Sequence, residues 1–173
     1  GEKVGHNSPH PHPDVIAALR EIKNKGIPIS LCTAKPHFAI GKEIKDADLN
    51  TVHITDGGGV IINPLKNKII TQNNIPTESA VKVIQAFLDA NVYVEFYTVD
   101  NYVIQRTQAG DITSKHSLVI QSDPLQVDSL VESAKKAKIT KIMPIAANEA
   151  DKANLHKLFE PFKNELILSW GVH

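Results

Sequence analysis

The sequence is poor in cysteine, in uncompensated charge and in long apolar runs, and each shortage excludes a class of protein. Cys32 is the single cysteine in 173 residues, so no internal disulfide can form, and we expect a reducing, cytoplasmic location. The 19 basic and 19 acidic residues cancel, which argues against a nucleic-acid partner. No apolar run approaches the roughly 20 residues that cross a bilayer, so we expect no membrane association.

The N-terminal third of the chain contains the pattern of an α/β core. Residues 1–12 are rich in His and Pro and have no periodicity, which predicts a disordered or irregular tail. Apolar residues then recur every three or four positions from Pro13 to a stop at Gly26, which predicts a helix. Ile27–Cys32 is mostly apolar without alternation, which predicts a strand that is buried on both faces.

The elements that follow extend this core as far as residue 72. Pro36–Lys45 predicts a second, weaker helix and Val52–Ile54 a second strand. Val60–Ile62 and Lys68–Thr71 flank a polar turn and predict a hairpin. The alternation of helix and strand favours a doubly wound α/β unit.

The pattern changes after about residue 73, where antiparallel strands and helices predict an α+β module. Pro76–Asn91 reads as an amphipathic helix, Val92–Val99 as an alternating strand and Tyr102–Thr107 as its returning partner. The remaining predicted elements are a strand over Ser117–Gln121, a helix from Asp123-Pro124 to Ala137, a strand over Lys141–Ala146, a helix from Asn148, and a last strand from Leu166 to Ser169.

Thr33 is the first candidate site residue, because it follows the predicted strand Ile27–Cys32. Ligands of open α/β sheets bind just outside the carboxyl ends of the strands. A hydroxyl there can bind a phosphoryl oxygen, and Lys35 would add positive charge. The alternative is that Thr33 merely caps the helix that begins near Pro36, and the residue alone favours neither interpretation.

Gly57 and Gly58 are the second candidate, in the run Asp56-Gly57-Gly58-Gly59 between two predicted strands. Glycines permit positive φ angles and a close approach of ligand to backbone. A tight connection without a ligand is the simpler explanation of this run, although its position after the second strand favours a functional reading of Thr33. The run is no dinucleotide fingerprint, because a strand follows it instead of a helix.

Other chemistry-bearing residues have ordinary structural explanations. The pair Asp46-Ala-Asp48 follows a polar helix end, where solvated carboxylates are expected. Glu149 and Asp151 fit the first turn of a helix, which favours acids. We assign no metal ligand in this chain. The remaining residues of this kind are expected in ordinary settings: His6, His10 and His12 in a solvated tail, Tyr93, Tyr97 and Tyr102 on a half-buried sheet face, and Cys32 as a buried, inert thiol.

The order of these segments resembles the Cof-type branch of the haloacid dehalogenase (HAD) superfamily. The helix, the apolar strand and Thr33 in residues 18–36 are similar to the second signature motif of that family. Residues 54–61, Ile-Thr-Asp-Gly-Gly-Gly-Val-Ile, are similar to its "I-T-x-N-G-A-x-I" turn. The resemblance implies a partial Rossmann-like core over residues 13–72, an inserted α+β cap over 73–165, and the start of a return to the core over 166–173.

The resemblance also implies an activity. It indicates a Mg²⁺-dependent phosphatase of small phosphorylated metabolites such as sugar phosphates, in which an aspartate attacks the phosphoryl group and a second aspartate acts as acid and base. Mg²⁺ is therefore expected for the complete enzyme. Thr33 would hold the transferring phosphoryl group, and Lys35, Gly57 and Gly58 would bind the substrate.

Four departures from the family pattern bear on this expectation. Residues 1–12 contain no aspartate, and the lysine and the acidic pair of the later motifs do not follow the cap. The usual "T-G-R" reads Thr33-Ala-Lys35, and Gly57 stands in place of the family's asparagine. We therefore expect this chain alone to be inactive. Alternatives are a non-enzymatic module that binds a small ligand or a protein, and a structural remnant without a ligand. An incomplete parallel sheet also predicts self-association through its exposed edge.

Overall fold

The computed structural model describes residues 10–66 and 68–169, and these form a mixed α/β fold of two compact units. The first unit comprises the described residues within Gly1–Asn73 together with Lys115–Asp123. The second comprises Asn74–Ser114 and the described residues within Pro124–His173. The predicted tail lies outside the described residues up to position 9, and residues 10–12 are irregular.

The helices and strands, in chain order, are as follows. The α-helices are α1 Pro13–Asn24, α2 Gly41–Asp46, α3 Thr77–Asp89, α4 Asp111–Ile120, α5 Leu130–Ala134 and α6 Glu149–Phe159. The strands are β1 His53–Thr55, β2 Val60–Asn63, β3 Lys68–Gln72, β4 Tyr93–Tyr97, β5 Tyr102–Gln105, β6 Leu125–Val127 and β7 Lys141–Ile145. Short 3₁₀ turns occupy His37–Ala39, Asp56–Gly58, Pro64–Lys66, Arg106–Gln108 and Glu160–Phe162.

Helix α1 begins as its sequence predicts. Pro13 occupies the first turn, where a missing N–H costs nothing, and the ring of His12 accepts the N–H of Asp14 at 3.2 Å. The backbone N–H of Lys25 closes the last turn, and Gly26 follows with φ of +79°. Glycine adopts this left-handed conformation without steric cost, so it ends the helix at the predicted place.

The first unit contains a three-stranded sheet in the order β1-β2-β3, with both pairs antiparallel. The β2–β3 hairpin is confirmed, and a bulge interrupts its register between Ile61 and Ile62. Alternate residues of β2 are buried, with Val60 and Ile62 facing the interior. This alternation is typical of a sheet that is covered on one face.

The segment Ile27–Cys32 departs from its prediction. Among the described residues it is an extended stretch joined to β1 by one parallel bridge, Cys32 to Ile54, and not a regular strand. Ile27 is 53% exposed and Cys32 is exposed as well. The predicted burial on both faces and the predicted buried thiol are therefore wrong for this structure, because no described helix or sheet covers the side chains of Ile27 and Cys32.

Helix α2 is shorter than predicted. Residues His37–Ala39 form a 3₁₀ turn, and the α-helix begins only at Gly41. Ile40 stands between them with φ of −121°, which is not a helical value. Gly41 has a low helix propensity, which is consistent with the weak helical pattern of Pro36–Lys45.

The second unit contains a four-stranded sheet in the order β6-β5-β4-β7. Strand β4 is antiparallel to β5 and β7, whereas β6 runs parallel to β5. The helix and strand pair predicted from Pro76 to Thr107 is confirmed as α3, β4 and β5. The core combines one face of this sheet with the helices; its fully buried members include Val83, Ile84, Phe87, Val94, Phe96 and Leu130.

Three predicted elements of the second half are wrong. Ser117–Gln121 lies in helix α4 and its end, where Gln121 donates its N–H to the carbonyl of Ser117 at 2.7 Å. The predicted helix from Asp123-Pro124 is instead β6 followed by α5, and α5 begins late because the Ser129 hydroxyl caps it. Residues 166–169 form no strand within the described part of the chain, since Leu166 closes a turn onto Phe162.

Candidate functional site

The candidate site is built where the extended stretch after α1 runs beside β1. Ile54 donates its N–H to the carbonyl of Leu31 at 2.8 Å, and Thr33 donates its N–H to the carbonyl of Ile54 at 3.0 Å. This alternation is the hydrogen-bond pattern of a parallel ladder. Thr33 and the residues after Thr55 therefore emerge at the same edge of the sheet.

The Thr33 side chain is half-buried and points its oxygen at the turn that follows. Its Oγ1 accepts the backbone N–H of Lys35 at 3.1 Å. The 3₁₀ turn that follows, His37–Ala39, begins at Pro36 without any side-chain cap. Thr33 therefore does not cap a helix, and within residues 10–66 and 68–169 its hydroxyl proton is not committed to an acceptor.

The glycine turn is tied directly to the Thr33 turn. Gly57 donates its N–H to the carbonyl of Thr33 at 3.2 Å, and Asp56 donates its N–H to the carbonyl of Lys35 at 3.0 Å. Gly57 and Gly58 have φ angles of +67° and +100°. A side chain at either position would be strained by that conformation, while nothing lies within 4 Å of the position that a Cβ would take. The glycines thus shape the turn and leave the space above it open.

Of the predicted site residues, the structure brings Thr33, Lys35 and Gly57 together through these two hydrogen bonds, with Gly58 next in the turn. Lys35 is half-buried, and its carbonyl takes part in the link. Gly57 and Gly58 are exposed.

Asp56 is a site residue that the sequence analysis did not single out. It is 4% exposed and has φ of +54°, a value uncommon for a residue with a side chain. The Thr55 hydroxyl donates to its Oδ2 at 3.0 Å. An acidic residue between a strand end and a glycine run was the available indication. Through its backbone N–H, which donates to the carbonyl of Lys35, Asp56 belongs to the same pair of turns.

The family model for haloacid dehalogenase-like hydrolases matches residues 6–172 of the chain. The chain belongs to this family. The recognition made from the sequence is thereby confirmed, together with the mixed α/β fold class. A search of curated proteins finds no match to the chain.

Solved structures share the fold of this HAD chain. A haloacid dehalogenase-like hydrolase from Bacteroides thetaiotaomicron superposes with a TM-score of 0.76 at 12% identity over 91% of this chain and 59% of that one. A protein from Plasmodium vivax, described as HAD/COF-like, gives 0.76 at 15% identity, with 92% and 58% covered. A sugar phosphatase of HAD subclass IIB gives 0.65 at 21% identity, with 85% and 56% covered. The chain thus spans less than three fifths of each.

The remaining acidic candidates of this HAD chain lie in ordinary surface settings. Asp46 pairs with Lys42 on α2, and the hydrogen bond from Lys42 lowers the pKa of Asp46. Asp48 pairs with Lys23. In α6, the carboxylate of Asp151 accepts the N–H of Ala147 at 3.0 Å, as expected for an acid in a first helical turn.

The histidines also have local partners. His6 lies outside the described residues. His10 approaches Glu43 at 3.4 Å, and His12 caps α1. Across the described ranges, 10–66 and 68–169, no group of three or more His, Cys, Asp or Glu side chains could hold a metal ion.

The tyrosines lie in a buried polar cluster in the second unit. Tyr93 donates its hydroxyl to Glu95 at 3.0 Å, and Tyr97 donates to the other carboxylate oxygen of Glu95. Burial, with the Glu95 charge second, raises the pKa of both phenols. The Tyr97 ring stacks on Tyr102 with 5.5 Å between centroids. Both faces of β4 are buried, so the predicted half-buried face is wrong, and Glu95 is a buried acidic side chain that the sequence pattern did not indicate.

Proposed function

We propose that the Thr33 turn binds the phosphoryl group of a substrate, and that the complete protein is a phosphatase of small phosphorylated metabolites, sugar phosphates among them. Membership of the haloacid dehalogenase-like hydrolases supports this reaction class. The sugar phosphatase with the same fold supports the substrate class. The observation that carries the proposal is the Thr33 hydroxyl, whose oxygen accepts from Lys35 while its proton stays available to donate.

Each predicted site residue has a distinct role in this proposal. The hydroxyl of Thr33 donates to a phosphoryl oxygen, and the Lys35 ammonium supplies positive charge. Gly57 and Gly58 hold the turn in a left-handed conformation and leave room for the substrate to approach and bind against their backbone. The Asp56 carboxylate disfavours a second negative group at the same place, which limits how the phosphoryl group is oriented.

Mg²⁺ is the metal that the family resemblance implies for the complete enzyme. The described residues do not provide a set of ligands for it, because they contain no cluster of three or more metal-binding side chains. No step of the chemistry is therefore assigned to a metal on these residues.

We further propose that the polypeptide of residues 1–173, taken alone, has negligible turnover. No Asp-x-Asp pair precedes Thr33 in this sequence, and the pair that follows it, Asp46 and Asp48, is engaged with surface lysines. An assay with a generic aryl phosphate and Mg²⁺ measures this. Hydrolysis that is lost on mutating a residue within the chain would overturn it.

Phosphate binding by the Thr33 turn is tested by calorimetric titration with inorganic phosphate and with phosphorylated sugars, each with and without Mg²⁺. Thr33→Val removes the hydroxyl at nearly constant volume, whereas Thr33→Ser keeps it. We expect the valine variant to lose binding and the serine variant to retain it. Equal binding by both variants contradicts the proposal, and metal-independent binding of an unphosphorylated ligand instead supports the alternative of a non-enzymatic binding module.

The domain organisation stays a proposal. Residues 13–72 would be a partial core, 73–165 a cap and 166–173 the start of a return. The compact unit that begins at Asn74 supports the first boundary, although Lys115–Asp123 groups with the other unit.

We also propose self-association through the edge of the extended stretch. Its backbone hydrogen bonds to β1 involve Leu31 and Thr33, among the described residues, so the backbone N–H and carbonyl groups of Ser30 and Cys32 face away from β1. Light scattering across a concentration series checks this, and a monomer at every concentration would refute it. A cytoplasmic location remains a proposal that rests on the single cysteine. None of the described helices is long and apolar enough to span a bilayer.

A further inference from the structure

Side chains replace the backbone in the pairing between β1 and the stretch that leads to Thr33. In a regular parallel ladder, the N–H of Leu31 would donate to the carbonyl of Val52. Instead, the hydroxyl of Ser30 donates a hydrogen bond to the carbonyl of Val52 at 2.6 Å. The N–H of Leu31 donates to Nδ1 of His53 at 3.1 Å.

A third side chain continues this arrangement away from the site. The hydroxyl of Thr51 donates to the carbonyl of Ile29. The regular backbone ladder therefore begins only at the carbonyl of Leu31. The N–H of the same residue is bound to the imidazole of His53 instead of to a backbone carbonyl.

The protonation state of His53 follows from this geometry. Because Nδ1 accepts a backbone N–H, the ring proton must lie on Nε2 and the ring must be neutral. The side chain is fully buried, and Nε2 has no hydrogen-bond partner among the described residues. A protonated ring would lose the Leu31 bond and would place an unpaired charge in the interior.

We propose that His53 is a positioning residue for the Thr33 turn, which it holds against β1 through the Leu31 N–H as long as the imidazole is neutral. This inference rests on the proposed function of Thr33. Leu31 stands two residues before Thr33. Loss of the Leu31 hydrogen bond would therefore loosen the segment that leads to Thr33, whose own N–H is bound to Ile54 and whose carbonyl is bound to Gly57. Acidification would thus weaken phosphoryl binding without any change in the groups that touch the ligand.

The surroundings of His53 determine the direction of the pH dependence. Ile62 lies opposite it on β2 and Leu31 beside it on the extended stretch, and both are apolar. Burial lowers the pKa of His53 below the ordinary 6.5, and no titratable or charged group from either neighbouring element contributes to that shift. The bond to Leu31 is therefore intact above the ordinary value and is lost as the pH falls through the lower folded-state pKa.

Two variants separate positioning from general stability. His53→Asn keeps an acceptor at the δ position and cannot titrate in this range. His53→Leu removes the acceptor. The amide resonance of Leu31 and the ring resonances of His53 are followed by NMR from about pH 7.5 downward until the His53 ring is protonated, without ligand. We expect the Leu31 amide to shift with the same midpoint as the His53 ring in the natural sequence, and to stay constant in the asparagine variant.

Binding of inorganic phosphate is then measured by calorimetry at both ends of the range. The natural chain should lose affinity on acidification by about tenfold more than His53→Asn does, the factor expected for one lost hydrogen bond. Dividing the affinity loss of the natural chain by that of His53→Asn removes the contributions from the titration of phosphate and of the other histidines, because both proteins share them. The asparagine variant should bind as well as the natural chain at the higher pH, which a merely destabilising substitution would not.

The outcomes separate the two proposals. A Leu31 amide that does not follow the His53 ring, or that moves equally in His53→Asn, overturns the positioning role. A different result is a Leu31 shift that is lost in His53→Asn while phosphate affinity is unchanged by Thr33→Val. That result leaves the role of His53 in the fold intact and overturns the function assigned to Thr33.

Discussion

Gly57 donates its backbone N–H to the carbonyl of Thr33 at 3.2 Å, and this bond joins the two turns of the candidate site. The two residues are far apart in the sequence and meet because the extended stretch before Thr33 runs parallel to β1. Gly57 accomplishes this in a left-handed conformation, φ of +67°, that other residues adopt only at a cost.

Gly57→Ala should therefore destabilise the first unit by about 1 kcal/mol, the cost of placing a side chain in the left-handed region. Gly41→Ala is the matched control, because Gly41 lies in α2 without a positive φ and also has open space around it. That control should be neutral or stabilising by up to about 1 kcal/mol. Urea unfolding of both variants measures the difference, and equal effects would contradict the assigned role of the turn.

Alkaline titration should report on Tyr93 and Tyr97. Burial raises the pKa of each phenol above the ordinary 10.0. Because the folded-state pKa is raised, these groups do not reduce the free energy of unfolding below pH 10.0. Above that pH the free energy of unfolding falls by about 1.4 kcal/mol per pH unit for each tyrosine. Phenolate absorbance should show both groups ionising only as the protein unfolds.

Tyr97→Phe provides the comparison for that titration. Its alkaline loss of stability should be shallower than that of the natural chain, because one of the buried phenols with a raised pKa is gone. The variant should also be less stable at neutral pH by about 1–3 kcal/mol, since Glu95 loses a donor in the interior. An unchanged alkaline slope would mean that Tyr97 ionises normally in the folded state.

The thiol of Cys32 should react with a disulfide reagent in the native protein. It is exposed and stands next to Thr33, so the rate should lie within about tenfold of that of the unfolded chain. Cys32→Ser serves as the blank. A thiol that reacts only after denaturation would restore the buried position that the sequence predicted.

Asn148→Ala should weaken the start of α6. The Asn148 side chain accepts a hydrogen bond from the N–H of Asp151 at 2.9 Å, and the Asp151 carboxylate accepts one from the N–H of Ala147. Loss of the cap should cost about 1 kcal/mol. Ala153→Gly, within the same helix, gives a propensity loss of similar size for scale. Thermal unfolding distinguishes the cap from a residue with no effect.

The elements that could be predicted are those whose local pattern agrees with their packing. In α3, Ile84 and Phe87 repeat at helical spacing and are fully buried, so periodicity alone located the helix. The β2–β3 hairpin followed from its polar turn. The Thr33 position followed from a strand end and a family motif.

The errors arose where local preference and context disagree. Ser117–Gln121 is rich in strand-forming residues, yet it continues the hydrogen bonding of a helix that starts at Asp111, and Leu118 stays 73% exposed. Ile27–Cys32 looked like a strand buried on both faces because its pattern shows apolar character and not which neighbours are present. Asp56 and Glu95 escaped notice because their burial depends on partners that a sequence pattern does not show.

The second compact unit is made of two stretches, Asn74–Ser114 and the described residues from Pro124 onward, whereas Lys115–Asp123 belongs to the first unit. A single continuous peptide therefore cannot reproduce this unit. Any fragment that runs from Asn74 past α4 also contains Lys115–Asp123, an insert from the other unit that begins inside α4. Dissection of this protein into independently folding pieces would require that insert to be replaced by a short linker, and helix α4 would have to be rebuilt at its severed end.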